Sequence, residues 1–99
     1  MKFVSWNCRD LGSHSKENAM KDLIHMEKPY ILLIHETKLE EGNFLRSSKF
    51  FWNKGQGITN SSRGELGGVG TLWNETLFKL VLHRKETHWI FMQLKHKAS

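Results

Sequence analysis

The 99-residue sequence predicts an α/β fold, and three observations carry that expectation. Residues 2–7, "KFVSWN", alternate as a strand does, with Phe3, Ser5 and Asn7 on one face and Val4 and Trp6 on the other. Residues 16–28 carry Ala19, Met20, Leu23 and Ile24 as a narrow apolar stripe at helical spacing, with Met26 to its side. Residues 30–35, "YILLIH", are a short continuous apolar run between Pro29 and polar residues, the pattern of a central strand covered on both faces. Strand, helix of about three turns and strand make a βαβ unit, so the two strands are expected parallel and close in one sheet.

Each element has its boundary chemistry. Gly12 and two serines form the loop before the helix, with Ser13 and Ser15 as N-cap candidates. Glu17 near the helix start suits the positive end of the dipole. Pro29 pushes Lys28 out of helical geometry and ends the helix. Further along, "NFLRSSKFFW" is expected to hold a short helix and then a strand ending at Trp52. The Gly-, Ser- and Asn-rich stretch of residues 53–68 reads as a long surface loop. "VGTLW", "FKLVLHR" and "HWIFMQL" read as three more strands, with turns at Asn74–Thr76 and Lys85–Thr87.

Bulk properties bound the function. The length allows one domain, residues 1–99. With 38% hydrophobic and 25% charged residues, four Trp and six Phe, the composition is globular rather than disordered. The net charge of +5 is spread from Lys2 to Lys97, which fits a cationic soluble surface as readily as a nucleic-acid face. The last stretch is more lopsided: Lys79, Arg84, Lys85, Lys95 and Lys97 are opposed only by Glu75 and Glu86. A single cysteine, Cys8, excludes an internal disulfide and fits a reducing compartment. No segment reaches the roughly 20 apolar residues of a membrane helix, and the first ten residues are too interrupted for a signal peptide. The expectation is an intracellular protein, neither secreted nor membrane-bound, with the nucleus a compatible compartment. The sequons at Asn60 and Asn74 are then chance matches.

Several motifs fail on inspection. "GELGGVG" has Trp73 where a dinucleotide loop would need its third Gly, and no Gly-Lys-Ser/Thr follows; a turn entering a strand accounts for it. The six histidines show no zinc spacing, and nothing pairs Cys8 with an imidazole. Asn7 and Glu36 remain. Each ends a strand of the βαβ unit, hence both lie on one edge of the sheet, the edge where open α/β sheets bind ligands. One amide oxygen and one carboxylate, with water, suit Mg²⁺ or Mn²⁺ better than zinc. A solvated strand-end glutamate is the plainer alternative.

"KFVSWNCRDLG", then a helix, then "KPYILLIHETKL" resembles the opening of the endonuclease/exonuclease/phosphatase superfamily, which includes exonuclease III-like apurinic endonucleases and the endonuclease domains of long interspersed retroelements. Ser-Trp-Asn at the first strand end and Glu-Thr-Lys at the second carry the resemblance, and Pro29 precedes the second strand as in that family. Arg9 within "SWNCRDLG" and the later "GGVGTLWNE" are similar to the plant retroelement branch. The similarity spans most of residues 2–75.

The resemblance implies the N-terminal part of a DNase-I-like fold, a partial four-layer α/β sandwich in which the βαβ unit is joined by antiparallel strands. It implies a Mg²⁺-dependent DNA phosphodiesterase, in which Glu36 holds the metal on the scissile phosphate and Asn7 positions ligand and metal, both counting as catalytic-site residues. A His–Asp pair would activate the attacking water. The chain departs from the pattern at His35, where the family has Gln, and at Asp10, where it has Gly; Asp tolerates left-handed backbone better than most residues. No "DxN" or "SDH" occurs in the 99 residues, so the base and its partner would lie beyond Ser99. The expected product is an N-terminal fragment with little activity alone. Other classes stay open: a non-catalytic nucleic-acid-binding remnant using the basic tail and Trp52, Trp73 or Trp89 for stacking, a translated relic, or a phosphatase of the same superfamily. Oligomeric state is not legible.

Overall fold

The computed structural model describes residues 2–60, 68–86 and 89–98. They form a small mixed α/β domain with two helices and two sheets: β1 (Phe3–Asn7), α1 (His14–Glu27), β2 (Ile31–His35), α2 (Glu41–Phe51), β3 (Gly55–Asn60), β4 (Val69–Asn74), β5 (Phe78–Lys85) and β6 (Ile90–His96). The larger sheet has the order β1-β2-β4-β3, and β5-β6 is a separate antiparallel pair.

The βαβ expectation holds. β1 and β2 are parallel neighbours, with Phe3 opposite Ile31 and Asn7 opposite His35. Ser13 is the N-cap of α1 and accepts from the Lys16 N–H; Ser15 lies inside the helix. Lys28 closes α1 in the left-handed region, its N–H donating to the Ile24 carbonyl. β4 runs antiparallel to both β2 and β3.

The helices cover one face of the sheet. Leu32, Ile34 and Leu72 point to that side and pack with Met20, Phe44 and Phe51, with Val4 and Trp6 at the margin. Gly70 has a packing reason to lack a side chain: a Cβ there would collide with the ring of Phe44. On the opposite face the hairpin covers Ile58 and Trp73 with Phe78, Leu80, Met92 and Leu94. That cover is incomplete, and Phe3 is left 61% exposed. The second strand is therefore sealed on its Leu32–Ile34 side only, whereas Ile31 and Leu33 are half-buried; continuous apolarity overstated its burial.

Three boundaries differ from the sequence expectation. Residues 41–51 are one helix, and Trp52 is its C-cap rather than the end of a strand. Phe44, Ser47, Ser48 and Phe51 share its buried side, a helical spacing that outweighs the strand preference of "KFFW". The expected loop at 53–68 contains β3, because pairing with β4 overrides the low strand propensity of Gly55 and Gly57. The last strand is placed two residues later than expected, at Ile90–His96. The turn at Asn74–Thr76 is present, with the Thr76 N–H donating to Asn74 Oδ1. Residues 61–67 of the expected loop, with Gly64 and Gly67 of the glycine cluster and the two serines of the Asn60 sequon, lie outside the described residues, as does Thr87 of the Lys85–Thr87 turn.

Candidate functional site

The edge formed by the C-terminal ends of β1 and β2 brings Asn7 and Glu36 to neighbouring strands. Asn7 is the last residue of β1, exposed, and in register with His35. Glu36 follows immediately and is half-buried. The strands are bridged there by the Cys8 N–H, which donates to the His35 carbonyl over 3.1 Å.

Backbone geometry sets this edge apart. Four described non-glycine residues have positive φ, and three of them, Arg9 (60°), Glu36 (56°) and Lys38 (54°), lie in the two loops that leave β1 and β2. The left-handed turn in the first loop therefore falls at Arg9 and not at Asp10. Asp10 instead accepts the Gly12 N–H on its Oδ1. Each such residue stores on the order of 1–3 kcal/mol and persists only where the surroundings enforce it. Here they do. Leu11 donates to the Thr37 carbonyl over 3.0 Å, and Thr37 donates to the Gly68 carbonyl over 3.2 Å. Thr37 is fully buried and its Oγ1 accepts the Leu39 N–H. Gly68, itself at φ 84°, has no room for a Cβ against Thr37 Oγ1. Glu36 is thus held between two pinned neighbours.

The side chains around it are mixed in charge. Asn7 Oδ1 accepts the Arg9 N–H over 3.3 Å and keeps a second lone pair for another partner. Lys16 donates to the Cys8 carbonyl over 3.0 Å. His35 Nε2 lies 3.3 Å from Ser5 Oγ on the exposed face. Among the described residues Glu36 forms no ion pair, and no three His, Cys, Asp or Glu side chains cluster as a metal cage. A hard cation held by one carboxylate, one amide oxygen and water is compatible with that donor set. Beneath the edge, burial pushes the Cys8 thiol above its ordinary pKa. The thiol faces the carbonyls of His35 and Glu36, not an imidazole.

No protein-family model and no curated protein matches this chain.

Of the tryptophans considered for stacking, Trp52 and Trp73 are buried in the two cores. Trp89 is 46% exposed, and the Arg84 guanidinium lies 5.6 Å from its ring centroid. Phe91, also exposed, lies 5.9 Å from the same guanidinium; sequence reasoning passed over it. Strand alternation in "FKLVLHR" and "HWIFMQL" was the signal that could have found the pair. A surface groove lies elsewhere, lined by Lys21, His25, Lys49 and Phe50 on the helices, away from Asn7 and Glu36. None of the described helices is long and apolar enough to cross a membrane.

Proposed function

We propose that this chain is the N-terminal part of a Mg²⁺-dependent phosphodiesterase of the endonuclease/exonuclease/phosphatase superfamily, retroelement-type, with a DNase-I-like fold and DNA as its substrate. The observation that carries the proposal is the placement of Asn7 and Glu36 on adjacent parallel strand ends, with Glu36 held in left-handed backbone by pinned neighbours. Strained backbone that the surroundings over-determine concentrates at functional sites. A half-buried carboxylate without an ion-pair partner among the described residues is also a reasonable site for a cation.

The residues fit the metal, and their roles follow from their chemistry. Glu36 supplies the charged oxygen ligand. Asn7 supplies a neutral oxygen and, through its amide N–H, a donor for a phosphate oxygen. Arg9 and Lys38, in the same loops, favour approach of a polyanion. Bound Mg²⁺ would neutralise charge developing on the leaving oxygen. A general base is not among the motif residues of these 99 positions, so the isolated chain is expected to bind the metal without cleaving.

The test is a thermal melt followed by circular dichroism with and without Mg²⁺. At about a hundredfold excess over the dissociation constant the parent gains about 2.7 kcal/mol. Glu36→Gln removes the charge and should abolish the shift. A melt equally raised in both proteins, or in neither, rejects the metal site. Mg²⁺-dependent plasmid nicking that Glu36→Gln abolishes would instead show that the chain is active alone.

A further inference from the structure

We propose that the outward face of the β5–β6 hairpin binds single-stranded nucleic acid. The proposal does not depend on the metal edge. Strand register defines the face: Lys79 lies opposite Lys95, Leu82 opposite Gln93 and Arg84 opposite Phe91. The alternate pairs, Phe78 with His96 and Leu80 with Leu94, turn inward onto the second core. The hairpin is tied down on the inner side and at its tip. Lys85 pairs with Glu41 over 3.6 Å, Asn60 donates to the Glu86 carbonyl, and the Lys97 N–H donates to the Leu77 carbonyl. Its outer face is left to solvent.

That face combines three cations with unusual apolar exposure. Lys79, Arg84 and Lys95 pair with no carboxylate among the described residues. Beside them Leu82 is 54%, Trp89 46% and Phe91 43% exposed. Arg84 lies within 6 Å of both aromatic rings, a distance at which cation and ring attract. Charge selects the occupant. A second copy of this chain would set three cations against three with, among the described residues, only Glu86, opposite Trp89, to offset them, whereas a polyanion neutralises them. The exposed rings then select the form of the polyanion. Bases stacked inside a duplex offer them no π-face, whereas the unpaired bases of a single strand do. Lysines on the backbone with aromatics under the bases is the general arrangement of sequence-tolerant single-strand binding.

The decisive experiment is fluorescence anisotropy of a short, mixed-sequence, fluorescein-labelled DNA strand titrated with the full chain in EDTA, which removes any contribution of metal. Three phosphate contacts predict a slope of log affinity against log salt of about −2. Trp89→Ala should weaken binding about tenfold, and Trp89→Phe, which keeps a flat ring, by less than about threefold. Lys79→Glu with Lys95→Glu should weaken it more than about tenfold. The equal charge change on the helix side, Lys21→Glu with Lys49→Glu, should cost less than about threefold. The proposal is overturned if both double variants lose affinity equally, if duplex DNA binds as tightly as the single strand, or if Trp89→Ala binds like the parent. A concentration-dependent dimer in sedimentation, abolished by Leu82→Glu, would make a second copy the occupant and overturn it as well.

Discussion

The two faces of the four-stranded sheet are built from similar residues and end in different states. On the helix side Leu32, Ile34, Leu72, Met20 and Phe44 are all fully buried. On the hairpin side the described apolar residues Ile58, Trp73 and Phe78 are buried, whereas Phe3 and Leu33 are left partly open. Stability lies mainly on the helix side. Two amphipathic helices seal a face, whereas a two-stranded hairpin, marginal on its own, covers only the strands it can reach. The sealed face supports the rigid edge that carries Asn7 and Glu36. The open one leaves surface for association.

The largest effect is expected at Phe44. Its ring fills the space above Gly70, and Phe44→Ala should destabilise the domain by about 3–5 kcal/mol in a denaturant titration. A loss below about 1 kcal/mol would mean that the helix side does not dominate. Next in size is the pH dependence set by Cys8. Because burial raises its thiol pKa, the folded state favours the protonated form. Its stabilising effect is present below the ordinary thiol pKa of about 8.5 and is lost as pH rises through the raised value. The melting temperature should fall between pH 7.5 and pH 10, and by less in Cys8→Ala; an identical fall would exclude the thiol as its source. The smallest effect is expected at Phe3. Phe3→Ser removes an exposed ring and should change stability by no more than about 0.5 kcal/mol, while reducing self-association in light scattering. A larger loss of stability would show that this corner is covered in solution.

Legibility followed the same division. The βαβ unit could be read because its signals are local: alternation in "KFVSWN", the Ser13 cap, the stop at Pro29 and the apolar run of β2. Parallel pairing then put Asn7 and Glu36 on one edge without further information. β3 could not be read. Its Gly55 and Gly57 argue for a loop, and only the neighbouring β4 makes a strand of them. The shift of the left-handed turn from Asp10 to Arg9 was equally hidden, since hydrogen bonds from the Leu11 N–H to the Thr37 carbonyl and from the Gly12 N–H to Asp10 Oδ1 hold the loop. Trp52, Trp73 and Trp89 look alike in the sequence, and tertiary packing alone separates two core residues from one exposed ring.

By itself, then, the sequence determined the α/β class, the parallel βαβ unit and the edge on which Asn7 and Glu36 meet, because helical and strand periodicity and the caps at Ser13 and Pro29 act within a few residues of chain. Only the tertiary structure decided that β3 exists, that Phe44 seats against Gly70, and that Arg84 shares one face with Trp89 and Phe91. Those outcomes depend on segments distant in sequence competing to bury the same sheet, and no local preference encodes which of them wins.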